Sequence, residues 1–280
     1  MKKILLTGST GFVGSAILEE LSKKHSIYCL NRKKIKQSNK FKNIYFKNYN
    51  DLNKKLKKIQ VDTVIHCATH YVKHHNINDI RKLSESNIIF GNIILENLVK
   101  MKVKSFINFS TVWENHDGIK NNYFNLYSVY KRGFTNLLNY YEKIFPKINF
   151  FNLFISDTFG RRDKRLKIIN VLKKNYKKNK TTKIISSKLN LNLLNISDIV
   201  DSVSVIFKNK NKPGQYNLVN TKNYSIAKII NKINKKNEKK IKVKWLRNKL
   251  INEKIFKNKK LIGWYPKNST INDIIKVIIS

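Results

Sequence analysis

Three groups of residues in this chain have types and spacings that could do chemistry. The first is Thr7-Gly8-Ser9-Thr10-Gly11-Phe12-Val13-Gly14, a G-x-x-G-x-x-G string between a short apolar run and an amphipathic one. Gly8 permits a tight turn, Gly11 lets backbone N–H groups approach a pyrophosphate at a helix N-terminus, and Gly14 lets helix and strand pack closely. In that context the string predicts a dinucleotide site contributed by Gly8, Thr10, Gly11, Phe12, Val13 and Gly14. The second group is Tyr127-Ser128-Val129-Tyr130-Lys131. The i, i+4 spacing puts Tyr127 and Lys131 on one helix face. An ammonium beside a phenol favours the phenolate, which readies Tyr127 as a general acid/base, and Lys131 would also reach the nicotinamide ribose. Tyr130 reads as a half-buried helix aromatic. The third group is Ser110-Thr111 at the end of an apolar run, where Thr111, or Ser110 in its place, would hydrogen-bond the same substrate oxygen as Tyr127.

Residues so far apart in the chain need a frame to bring them together. Apolar runs at Ile4–Leu6, Ile27–Leu30, Val61–Ala68, Val103–Ser110 and Ile148–Phe154 alternate with helical patterns at Phe12–Leu21, 77–101 and Tyr127–Phe145. This βαβ rhythm predicts an α/β fold: a Rossmann-type, doubly wound parallel sheet with helices on both faces. Past residue 160 the rhythm loosens into shorter strands, at Lys183–Ser186, Leu191–Ile196 and Gln215–Val219. Residues 1–160 are thus expected to bind the dinucleotide and 161–280 to form mainly a small C-terminal substrate-binding lobe, with the core able to take in later segments.

At the end of the second strand, where a carboxylate normally receives the ribose hydroxyls of NAD, stands Leu30-Asn31-Arg32-Lys33. No acid is there, and Arg32 suits a 2′-phosphate, so NADP(H) is the expected cofactor, with NAD(H) the alternative. Asn31 and Arg32 join the cofactor residues, as do Asp51 and Leu52 on the adenine side, although Asp51 suits a helix N-terminus equally well.

Composition narrows the function classes. Lys+Arg number 58 and Asp+Glu 17, a net charge of +41. The lysines are scattered over almost every predicted helix and loop, which argues against a specific nucleic-acid patch and for a solvated surface that attracts an anionic nucleotide substrate. No run approaches the roughly 18 to 20 apolar residues of a membrane span. Lys2-Lys3 before a short apolar stretch is like a secretion signal, but Thr7–Gly11 interrupts it and no small-residue cleavage site comes after it, so the protein reads as cytoplasmic. Cys29 and Cys67 sit in apolar runs as small hydrophobes, with no disulfide or C-x-x-C pair between them. His70 and His74 have helical spacing, with His75 beside them, but no carboxylate or cysteine stands near them in sequence, and no metal site is expected.

Further motifs, in order along the chain, resemble the extended short-chain dehydrogenase/reductases of the NAD-dependent epimerase/dehydratase type. His66-Cys67-Ala68-Thr69 is similar to the H-x-A segment beside the cofactor, and Asn87-Ile88-Ile89-Phe90-Gly91-Asn92 to the N-V-x-G-T stretch whose asparagine supports the active site. Phe159-Gly160-Arg161-Arg162-Asp163 resembles Y-G-P-G-D, Asn195–Val200 resembles V-x-D-V, Gly214–Leu218 resembles G-x-x-Y-N-I, and Leu261–Pro266 matches L-G-W-x-P. The resemblance implies cofactor contacts from Cys67, Ala68, Thr69 and Asn87, substrate contacts from Trp113, Arg161 and Arg162, a nucleotide-sugar substrate, and a homodimer through the two long helices. Within the family, Ser110–Asn115 resembles the S-T-x-W segment of CDP-abequose and CDP-paratose synthases, which implies 4-keto reduction, with epimerisation by the same triad the alternative and a non-catalytic cofactor binder the second. The dehydratases of the family carry Asp-Glu directly after the threonine, whereas Val112-Trp113 stands here. Asn152 replaces the usual arginine before Leu153-Phe154, and Arg161 the usual proline.

Overall fold

In the first strand alternate side chains point to opposite sides: Ile4 and Leu6 join one apolar cluster and Leu5 the other. Both faces of this strand are buried, and that is the condition for a central strand of a parallel sheet covered by helices on each side. The computed structural model describes residues 1–35, 38–208 and 211–280. Its first part comprises β1 (Lys3–Thr7), α1 (Phe12–Leu21), β2 (Ser26–Asn31), β3 (Lys42–Tyr45), α2 (Tyr49–Leu56), β4 (Thr63–His66), α3 (Ile77–Ser84), α4 (Phe90–Glu96), β5 (Ser105–Thr111), α5 (Leu126–Ile144) and β6 (Asn149–Ile155). Then come β7 (Asp157–Phe159), α6 (Ile168–Lys177), β8 (Thr182–Ile184), β9 (Leu189–Leu191), β10 (Leu193–Asn195), α7 (Ile196–Phe207), β11 (Gly214–Leu218), β12 (Tyr224–Ser225), α8 (Ile226–Lys236), β13 (Val243–Trp245), β14 (Ile251–Asn252), β15 (Lys259–Lys260) and α9 (Ile271–Ile279).

The main sheet has the order β15-β11-β6-β5-β4-β1-β2-β3, and all its pairings are parallel. This is the expected doubly wound α/β architecture. On one face α1 and α7 cover Ile4, Leu6, Cys29, Ile65 and Ile107. On the other, α2, α4 and α5 cover Leu5, Leu30, Val64 and Phe106. The strand expected near 215–219 forms as β11 and pairs with β6, so chain beyond residue 160 returns to the main sheet. A third core, built from α6, α8 and α9 around Phe159, Leu172, Ile229 and Ile274, holds the C-terminal lobe together.

Strand order reverses between β1 and β4, and in such sheets ligands bind in the crevice outside the carboxyl ends of the strands at that point. The helical stretch expected over 77–101 is not uniform. Between α3 and α4 lies a π-helical turn, Glu85–Ile89, a local widening that recurs at functional sites. No helix among the described residues is long and apolar enough to cross a membrane.

Candidate active site

The crevice at the switch point is a cleft of about 780 Å³. Its floor is made by the carboxyl ends of β1, β2, β4, β5 and β6 and the turns that leave them: Gly8, Asn31, Cys67, Thr111 and Ser156 all line it. Gly8 has φ +66°, and a β-carbon there would come within 2.7 Å of the Ala68 nitrogen. A β-carbon on Gly14 would lie 2.7 Å from the Gly8 carbonyl carbon and nearer still to its oxygen. Only glycines let α1 descend so far onto the loop. Gly11 is the N-cap of α1 and no side chain caps it, so the first amides of the helix face the cleft unshielded.

A buried polar knot holds the loop in place. The Thr7 hydroxyl accepts from the Cys67 and Ala68 amides at 3.2 and 3.1 Å and lies 3.0 Å from His66 Nδ1. Burial drives the His66 pKa down to about 3, so the ring is neutral, and with its oxygen accepting from two amides the Thr7 hydroxyl has its own proton to give to Nδ1. Asn31 is buried too, accepting from Ser9 at 3.1 Å and donating to Asn43 at 2.9 Å. Together the glycine cradle, the open helix end and the cleft's size fit a dinucleotide, with Arg32 and Lys33 lining the rim beyond β2.

Asn125 starts α5 with a capping box closed by Ser128, which places Tyr127 in the first turn and Lys131 one turn later. Tyr127 lines the cleft with Ser110 and Thr111. Burial pushes its pKa up to about 12, partly offset by a hydrogen bond with Thr69, so the side chain is a phenol at neutral pH. Tyr71 meets it edge-on, ring centroids 5.1 Å apart. Lys131 is buried below the cleft, its Nζ donating to the Phe109 carbonyl at 2.8 Å, and burial lowers its pKa to about 8 against the pull of Glu114. Tyr130 is half-buried, as expected.

Ser110 and Thr111 differ in their partners. The Ser110 hydroxyl is bonded to Glu114, a wholly enclosed carboxylate that also accepts from Thr135 at 3.1 Å and has Arg132 Nε at 3.3 Å. Burial raises the Glu114 pKa, and the Ser110 and Arg132 contacts oppose that rise. Asn152 belongs to the same knot, donating to Thr135 and accepting from Asn108. Thr111 only accepts from the Trp113 amide, at 3.3 Å, which leaves its own proton for a ligand.

Some expected residues stand away from the cleft wall. Asp51 is at the third position of α2, its carboxylate taken by the Lys47 amide at 2.9 Å and Lys55 Nζ at 3.0 Å, because Asn48 begins the helix there. Leu52 is core. Asn87 sits in the π-helical turn and clamps the loop after β4, accepting from Thr69 at 2.7 Å and the His70 amide at 3.0 Å. Arg161 and Arg162 line a different groove, beside Glu19 and Asp201, with Arg162 ion-paired to Glu19 at the surface. The turn after β7 carries these two outward and brings Arg165 and Lys167 in instead. Arg165 lies 4.3 Å above the Phe12 ring, and Lys167 lies 4.3 Å above Trp113 and pairs with Asp157. Trp113 Nε1 donates to Glu253 at 3.3 Å. Sequence reasoning missed Tyr71, Asp157, Arg165, Lys167 and Glu253. The one available signal was Asp157, a carboxylate just past the carboxyl end of a parallel strand.

A family model described as "NAD dependent epimerase/dehydratase family" matches residues 4–219. The chain belongs to that family. CDP-abequose synthases are similar to this epimerase/dehydratase chain at 30% identity: that of Salmonella muenchen over 78% of the chain and 74% of its own length, and that of Yersinia pseudotuberculosis over 76% and 75%. Among solved structures, UDP-glucuronic acid 4-epimerase from Bacillus cereus, in complex with UDP-glucuronic acid and NAD, superposes with a TM-score of 0.80. It covers 99% of this chain and 98% of its own at 20% identity, a likeness of fold.

Proposed function

We propose that this member of the family reduces a keto group, at position 4, of a nucleotide-activated sugar, with NADP(H) as its preferred cofactor. In this reading Gly8, Thr10, Gly11, Phe12, Val13 and Gly14 hold the pyrophosphate, Asn31 and Arg32 the adenosine end, and Cys67, Ala68 and Thr69 the wall beside the nicotinamide. The dinucleotide, when bound, supplies the hydride. Tyr127 gives its proton to the carbonyl oxygen, Thr111 donates a hydrogen bond to that oxygen, and Lys131 stabilises the phenolate left behind. Trp113 packs against the sugar. Asn87 acts through the Thr69 loop.

The observation that carries the choice is the placing of Glu114. Elimination of a sugar hydroxyl needs an acid and a base besides the tyrosine; Glu114, the carboxylate nearest Thr111 in sequence, is enclosed below the floor on Ser110, Thr135 and Arg132, and Asp157, which lines the cleft, is ion-paired with Lys167. Reduction needs a proton donor, and burial keeps Tyr127 in the phenol form such a step starts from. The S-T-x-W resemblance and the 30% identity to CDP-abequose synthases support the same reading. It includes a homodimer through the long helices, 77–101 and α5.

NADPH absorbance with a 4-keto sugar nucleotide tests it. Stoichiometric consumption is the expected result. Sugar interconversion without net consumption would make the enzyme an epimerase, and a 4-keto-6-deoxy product from an unmodified hexose would make it a dehydratase.

A further inference from the structure

The chain carries a net charge of +41, yet the two cations that line the cleft near Trp113, Arg165 and Lys167, both have carboxylate partners, and Lys131 below the floor is turned to the Phe109 carbonyl. Lys167 is paired with Asp157, and both side chains are nearly buried. Arg165 is held bidentate by Asp163, through Nε at 2.8 Å and Nη2 at 2.8 Å, and its Nη2 donates to the Thr158 hydroxyl at 2.6 Å. The Asp163 side chain is itself fully enclosed. A third carboxyl group, Glu253, reaches in from the C-terminal lobe to Trp113 Nε1 and the Asn192 amide, the latter at 2.8 Å. Two carboxylates and a third, buried carboxyl group thus face two cations.

Aromatic rings cover what remains of Lys167. Its Nζ is 4.3 Å from the centroid of Trp113 and 5.1 Å from that of Tyr71, and the two rings approach each other to 6.0 Å. Tyr71 in turn packs edge-on against Tyr127. The space beside the proton donor is therefore walled by ring faces, which suit the C–H face of a sugar, and by charge already neutralised within the protein.

We propose that the sugar end of this cleft accepts an uncharged hexose and turns away a hexuronate, because Asp157 and Asp163 hold its two cations and Glu253 adds a carboxyl group beside them. This rests on the nucleotide-sugar reading above. A ligand carboxylate placed there would lose its water, find Lys167 and Arg165 already paired, and lie beside the carboxylates that pair them. An uncharged hydroxymethyl or methyl group at the same carbon meets none of these costs.

The test is equilibrium binding to the intact protein, by calorimetry, of two matched pairs: UDP-glucose with UDP-glucuronate, and CDP-glucose with CDP-glucuronate. With whichever nucleotide binds, the neutral sugar should bind at least about tenfold more tightly. Asp157→Asn, which frees Lys167, should move that ratio about tenfold toward the hexuronate, and Asp157→Asn/Lys167→Met should abolish the gain. If Asp157→Asn does not fold, the wild-type ratio decides. Equal or tighter binding of a hexuronate would overturn the inference while leaving the nucleotide-sugar reading intact. Binding of none of the four would overturn that reading and the inference with it.

Discussion

Replacing Gly14 by alanine tests the cofactor cradle most directly, because simple helix energetics predict the opposite sign. Gly14 lies inside α1, and alanine in an ordinary exposed helix interior would stabilise by ~1 kcal/mol. Here the new β-carbon would stand 2.7 Å from the Gly8 carbonyl carbon and closer to its oxygen, where real β-carbons essentially never come within 3.0 Å. The opposing atoms are backbone, fixed by the φ of +66° at Gly8 and by the Thr7, Cys67 and Ala68 hydrogen bonds. Loop and helix must therefore part by about an ångström. Overpacking of this kind costs about 1–3 kcal/mol, which outweighs the propensity gain and leaves Gly14→Ala less stable by about 1 kcal/mol. The same displacement pulls the α1 amides from a bound pyrophosphate, and affinity for NADPH should fall by about one to two orders of magnitude. Nicotinamide fluorescence titration and thermal unfolding measure the two effects. Gly11→Ala is the internal comparison, since its β-carbon would meet the Gly8 oxygen at 3.2 Å, a tight contact that asks for a shift of only a few tenths of an ångström, and its φ is negative. A Gly14→Ala protein that is more stable than wild type and binds NADPH unchanged would refute the cradle.

Tyr127→Phe should remove most turnover and leave cofactor affinity nearly intact, because it deletes the proton donor and little surface; near-normal kcat would sink the assignment. Arg32→Ala should weaken NADPH selectively, by about tenfold, and equal losses with NADH would contradict the 2′-phosphate contact. The pKa of Glu253 is pushed up to about 7, first by burial and then by Asp157, with the Asn192 amide, Trp113 and Lys167 opposing. A carboxyl with a raised pKa favours the folded state below its unfolded value of 4.5 and loses that contribution as pH rises through 7. Wild type should thus lose about 3 kcal/mol relative to Glu253→Gln between pH 4.5 and 8, read from urea unfolding at both ends; parallel curves would show that Glu253 is not held protonated.

Much of the candidate site was legible because it depends on local chain geometry. The glycine spacing, the apolar run before it and the helix after it fix β1, the turn and α1 between Lys3 and Leu21. Asn125 with Ser128 sets where α5 begins, and so puts Tyr127 in its first turn and Lys131 one turn on. Strand alternation in Ile4-Leu5-Leu6 already specifies a strand buried on both faces. Local rules could not show which partners a buried polar residue takes. Ser110 and Thr111 are adjacent and chemically alike in sequence; only the arrival of Glu114, Thr135 and Arg132 beneath the sheet takes the first hydroxyl away and leaves the second to the cleft. Asp51 shows the reverse, a motif residue that the N-terminus of α2 claims for itself. The end of the cleft beside Trp113 lay furthest from reach. Arg161, Arg162, Arg165 and Lys167 are indistinguishable in a chain with 58 lysines and arginines, and the direction of the turn after β7 sends two outward and two inward. Glu253 joins them from more than eighty residues further along, so its role exists only once the C-terminal lobe has closed over Trp113. Charge balance within a cleft depends on distance in space, and sequence records only distance along the chain.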